Sequence, residues 1–148
     1  MPLVGGGGSP NVAGSNPSGT GTSVNFLRYS EKTLVYGYSG ALTVTGGSDV
    51  VGLKFTTGNE AIDGKVMVQY MGDAADGDDS IFKVRMDSQR VIGALVGTNH
   101  GGANPALGPE NWIPIIIPPF TNVEMAFRML SGGGSIDLGV TLIGEAYA

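Results

Sequence analysis

Chemistry at a protein site needs particular side chains at particular spacings, and several stretches of this chain come near such a pattern. Residues 58–66, GNEAIDGKV, approach a phosphate-binding loop, in which backbone amides, a lysine and a hydroxyl meet phosphate and magnesium together. The spacing holds one residue too many, and Val66 stands where the hydroxyl belongs, so a turn leading into a strand accounts for the segment better. Gly37-Tyr38-Ser39-Gly40-Ala41 approaches a nucleophile elbow, but the second glycine comes one place early and no helical pattern follows. The single histidine, His100, sits in Asn99-His100-Gly101-Gly102, a loop composition, and reads as a solvated residue without the oriented partner that a general base needs. Asp73, Asp76, Asp78 and Asp79 crowd the segment DAADGDDS. Calcium favours such oxygen-rich loops, yet the frame D-x-[DN]-x-[DN]-G with its distal glutamate is missing. A wet hairpin tip that keeps a sheet edge soluble explains the run equally well. Thirteen acidic residues would allow a carboxylate pair for glycoside chemistry, but no pair is singled out. Trp112 and the tyrosines suit stacking on sugars or bases. Trp112 precedes an apolar strand, however, where a core or subunit contact is commoner, and it enters as an interaction candidate. No catalytic, cofactor-binding or metal-ligating residue is assigned, and the chain reads as a non-enzyme.

Composition narrows the classes further. At 148 residues the chain suits one domain, and it has no cysteine, which excludes a disulfide scaffold, a thiolate zinc site and a cysteine nucleophile. A net charge of −5 argues against broad attraction to nucleic acid or to anionic membrane. The first charged residue is Arg28, so the start of the chain lacks the positive region of a secretory signal. The longest apolar block, Trp112 to Phe120, falls far short of the ~20 residues of a membrane helix and carries three prolines. The expectation is a chain with neither a signal peptide nor a transmembrane segment.

The elements that must position these side chains are strands. Residues 1–24 form a Gly/Ser/Pro/Asn/Thr tract too poor in apolar groups to fold alone, and read as a flexible arm with Leu3, Val4 and Val12 as its anchors. From residue 25 to 148 the apolar period is two. Leu34, Tyr36 and Tyr38 alternate with Thr33, Val35 and Gly37. Val66, Val68 and Tyr70 alternate with Lys65, Met67 and Gln69, and Phe82, Val84 and Met86 are separated by Lys83 and Arg85. Residues 90–97, RVIGALVG, are apolar on both faces. Val123, Met125, Phe127 and Met129 form a further alternating set, as do Ile136, Leu138, Val140 and Leu142. Turn residues such as Gly46-Gly47, Gly58-Asn59 and Asp87-Ser88 separate the runs. Eight or nine short strands without a helical stripe predict an all-β, two-sheet antiparallel sandwich of jelly-roll type, in preference to an immunoglobulin-like one.

The most distinctive stretch runs Trp112-Ile113-Pro114-Ile115-Ile116-Ile117-Pro118-Pro119-Phe120-Thr121-Asn122-Val123-Glu124. A β-branched strand ends at two prolines, which cannot continue a central ladder, and an alternating strand follows at once. Together with the closing Gly139-Val140-Thr141-Leu142-Ile143-Gly144-Glu145, this order resembles the small jelly-roll structural proteins of virus particles, over residues 30–145. The resemblance implies a virion structural protein (a capsid, decoration or fibre-head subunit) whose partners are copies of itself and another shell protein, without cofactor and located in the virion. Coats that package nucleic acid directly often carry a basic arm, whereas residues 1–24 contain no lysine or arginine. That departure favours an outer-shell or accessory subunit without direct nucleic-acid contact. The alternative is a carbohydrate- or receptor-binding β-sandwich module, in which loops 72–80 and 97–111 would hold a host-surface glycan.

Overall fold

Alternation of apolar and polar residues lets each strand bury one face, and two such sheets close a core between them. The computed structural model describes residues 4–5, 25–29, 32–71, 79–97, 112–131 and 134–147. Among them are eleven strands and no helix: β1 (Val4–Gly5), β2 (Asn25–Tyr29), β3 (Lys32–Tyr38), β4 (Leu42–Thr45), β5 (Val50–Thr56), β6 (Ala61–Tyr70), β7 (Asp79–Met86), β8 (Gln89–Gly97), β9 (Ile113–Ile117), β10 (Asn122–Ser131) and β11 (Ser135–Tyr147). One sheet runs β1-β2-β3-β11-β6-β9, with β4 also paired to β11; the other runs β5-β10-β7-β8. Every pairing is antiparallel.

β3 pairs with residues 141–146 of β11 and β4 with residues 135–138, so the two are halves of one strand interrupted at residues 39–41. Counted as one, they give eight strands after β2. The first sheet then holds strands one, eight, three and six, and the second holds two, seven, four and five. Apart from the hairpin of strands four and five (β7 and β8), chain neighbours are dealt between opposite sheets, which is the double Greek-key order of a jelly roll.

The interior is assembled from the inward parity of both sheets. Phe55, Phe82, Phe127, Leu53 and Met125 of the second sheet meet Ile62, Val66, Ile117, Ile136, Leu138 and Leu142 of the first, all fully buried. Phe82 and Phe127 are direct cross-strand partners, with ring centroids 5.3 Å apart. Each such ring contributes about 1.5–3 kcal/mol through burial. Where the two sheets approach, Gly52 is required: a Cβ there would come within 2.8 Å of Val140 Cγ1 and 3.2 Å of Ser39 Cβ.

In β3 the buried parity is Thr33 and Val35, while Leu34 and Tyr36 face outward at 41% and 42% exposure. Hydropathy alone favours the opposite face; the pairing of Leu34 and Tyr36 with the outward Glu145 and Ile143 settles it. The apolar run 90–97 has a related cause. It forms β8, the edge of the second sheet, and Val91 and Leu95 stand exposed on it while Val96 is buried. Of the arm, the described part is β1, whose Val4 and Gly5 pair with Phe26 and Asn25; Leu3 and Val12 lie outside the described residues. No helix among the described residues is long and apolar enough to cross a membrane.

Candidate functional site

The motif-like segments resolve into structure. Ser39 is fully buried at the break between β3 and β4, where Gly40 takes a φ of 73°. The Ser39 N–H donates to the Val140 carbonyl at 3.0 Å, and its hydroxyl accepts from the Val140 N–H at 2.9 Å while donating to the Gly40 carbonyl at 2.8 Å. The serine thus replaces a ladder bond lost at the kink, and its oxygen is occupied. Gly64 and Lys65 of the phosphate-loop-like segment lie inside β6, in register with Gly144 and Ile143, so no loop of free amides exists there. His100, Asp73, Asp76 and Asp78 lie outside the described residues. Asp79 opens β7, paired with Gly97. Trp112 is half-buried immediately before β9. Among the described residues no group of three or more His, Asp or Glu side chains is placed to hold a metal.

Among the described residues three surface features remain. The first is a chain of charges on the outer face of the second sheet. Asp49, in the turn before β5, accepts from Lys83 Nζ at 2.7 Å and from Arg85 Nη2 at 2.6 Å. Arg85 Nη1 reaches Glu124 at 2.7 Å, and Glu124 also meets Lys54 at 3.3 Å. Glu124 is the cross-strand partner of both Arg85 and Lys54, so the ladder itself sets the charges side by side. The Lys83 hydrogen bond, joined by Arg85, holds the Asp49 carboxyl below the usual carboxylate range against the opposing effect of burial. Hydrogen bonds to Asp49 and then Glu124 raise Arg85.

The second feature is a tightly stitched pole formed by residues 57–60, 87–88 and 118–121. The Thr57 N–H donates to the Thr121 carbonyl at 3.0 Å, and the Thr121 N–H returns to Thr57 Oγ1 at 2.8 Å. Thr57 Oγ1 also donates to the Pro118 carbonyl at 2.8 Å. The Phe120 N–H reaches the Gly58 carbonyl at 2.8 Å. Asp87 and Asn122 exchange bonds of 2.8 and 2.9 Å. The non-glycine residues with positive φ among those described, Asp87 (48°), Ser88 (70°) and Phe120 (55°), all lie here. For a bulky residue this backbone region costs on the order of 1–3 kcal/mol and persists only where the surroundings enforce it. Phe120 nevertheless leaves 74% of its surface exposed.

The third feature is a trough of about 570 Å3 across the outer face of the first sheet. Its floor is the backbone of Val35, Gly144 and Gly64, which lie in one register row. One wall is the row Leu34–Glu145–Asp63 and the other Tyr36–Ile143–Lys65. The glycine pair is obligatory, since a Cβ on Gly144 would run into the Asp63 carbonyl.

Sequence reasoning marked the Pro118-Pro119-Phe120 turn but missed Phe120 as a surface feature, along with the trough and the charge chain. Lys83 and Arg85 were visible only as polar spacers, and nothing along the chain brings Asp49 to them. No protein family and no curated protein matches the sequence. Among solved structures, one of infectious bursal disease virus, Gt strain, superposes with a TM-score of 0.45 at 13% identity, covering 89% of this chain and 36% of that one. One of the Gx strain gives 0.42 at 14% identity, covering 89% and 35%. This chain therefore spans about a third of the length of either neighbour.

Proposed function

We propose that this protein is a structural subunit of a virus particle, acting through self-association and shell contacts rather than through catalysis. A jelly roll hosts many functions, so the reading rests on the surface and not on the fold. The observation that carries it is the amount of bulky apolar surface left in solvent at three separate places. Leu34, Tyr36, Ile143 and Ile116 lie on the open face of the first sheet, Val91 and Leu95 on the edge strand of the second, and Phe120 at the pole. A lone exposed leucine means little, but clustered exposed aliphatic and aromatic residues mark surfaces that neighbours cover. The edge strand β8 adds a second opportunity, because it ends the second sheet among the described residues, and a long sheet edge with few charges is a template for another chain. An outer-shell or decoration role is the finer form of this proposal, supported by an arm without basic residues.

Size-exclusion chromatography with light scattering on the purified chain tests it. A closed assembly formed without added ligand is the expected result. A monomer at all concentrations that binds immobilised glycans would replace the reading with that of a carbohydrate-binding module.

A further inference from the structure

Two of the surface features fit each other. We propose that Phe120 is the knob of a head-to-tail contact whose hole is the Gly64–Gly144 trough of a second copy of this chain. The inference rests on the self-association reading above and adds the surfaces through which it occurs.

The knob is built in advance of any partner. Pro118 and Pro119 restrict the approach of the chain, and the Phe120 N–H is held to Gly58. Thr57 clamps the turn at Pro118 and at Thr121. A turn fixed in this way loses little backbone freedom on docking, and aromatic anchors dominate interface energetics. The unusual φ of Phe120 is the cost of holding an apolar ring out at the tip of a turn, where glycine would serve the turn itself better.

The trough has the chemistry that such a ring needs. Leu34, Tyr36 and Ile143 supply apolar and aromatic wall, and the backbone of Val35, Gly64 and Gly144 forms the floor between them. Lys65 stands at one end of a wall and brings a cation to the trough, which favours an aromatic ring. Its volume of about 570 Å3 has room for one phenyl group and the turn residues beside it. The contact must be made between two chains. Phe120 is not among the residues lining its own trough, and a ring lying in it would be covered instead of 74% exposed.

Knob and hole occupy different surfaces, so the contact is heterologous and propagates into a ring or a chain of subunits, unlike a twofold dimer. That asymmetry gives a decisive experiment on the full-length protein, read by analytical ultracentrifugation. Phe120→Ala removes the knob, and Ile143→Glu places a carboxylate in the trough. Each variant alone should associate at least about thirty-fold more weakly than wild type, as expected for the loss of an interface anchor. Mixed in equal amounts, they should form a heterodimer that stops at two chains, since one intact knob and one intact trough remain. Circular dichroism and melting identify a folding defect; if Ile143→Glu shows one, Lys65→Glu replaces it at the rim. Variants that assemble like wild type, or a mixture that stays monomeric, would overturn the proposal. Assembly that survives Phe120→Ala but is lost on removing residues 1–24 would give the trough to the arm, and would also overturn it. Wild-type protein that never self-associates sinks both this inference and the structural reading. Wild-type assembly indifferent to Phe120 sinks this inference alone.

Discussion

Single side chains in this protein act mainly by completing the backbone's hydrogen bonding where the sheet is broken. Ser39 is the clearest case, because its hydroxyl is the acceptor for a buried Val140 N–H that has no ladder partner at the kink. Ser39→Ala leaves that donor without a partner, and a buried unsatisfied amide costs about 1–3 kcal/mol. We expect Ser39→Ala to lower the urea midpoint by the corresponding amount with the m-value unchanged. Unaltered stability would mean that Val140 finds another acceptor. Thr57 plays a comparable part at the pole, accepting from Thr121 while donating to Pro118. In both places a small hydroxylic residue lets a chain reverse or shift without leaving polar groups stranded in the interior.

At the scale of elements, the second sheet carries its charges in a cross-strand line from Lys54 through Glu124, Arg85 and Asp49 to Lys83. Lys83 keeps only 8% of its side chain exposed, so its ammonium depends on Asp49. The Asp49 carboxyl is lowered in the fold, chiefly by the Lys83 hydrogen bond. Its folded value therefore lies below the unfolded value of about 3.9, and the fold binds this proton less readily than the unfolded chain does. The stabilisation is complete above the unfolded value and is lost as pH falls through the folded one. Thermal melts from pH 6 down to pH 2 should show this loss, and Asp49→Asn should flatten that part of the profile. The same variant should be less stable than wild type at neutral pH, because the nearly buried Lys83 ammonium loses its counter-charge. A profile unchanged by Asp49→Asn would show that other carboxylates govern acid unfolding.

For the molecule as a whole, the proposed role places assembly in surfaces that lie apart from the core. Removal of residues 1–24 tests this separation. The deletion takes away β1, a two-residue strand at the far edge of the first sheet, and leaves the eight jelly-roll strands and their buried side chains in place. The truncated protein should keep its β-rich circular dichroism and most of its melting temperature, while its assembly or attachment to a particle weakens through loss of Leu3, Val4 and Val12. Unchanged attachment would reduce the arm to a tail. A large fall in melting temperature would instead make it part of the fold.

The all-β class was legible in the sequence because strand periodicity is local. Phe82-Lys83-Val84-Arg85 declares its two faces within four residues, and Asp87-Ser88 declares the turn that follows. The failed motifs were legible for the same reason, since Ser39 and Lys65 lacked the spacing that chemistry demands. Face assignment at β3 was not legible. Leu34 and Tyr36 are more apolar than Thr33, and only the register with Ile143 and Glu145 turns them outward. Nor could the sequence show that Asp49 meets Lys83 and Arg85, or that Leu34, Tyr36 and Ile143 come to line one trough. Such pairings join residues tens of positions apart, and their energy exists only once two strands share a ladder. Local patterning fixed what each strand is; strand order and register together determined which side chains became neighbours.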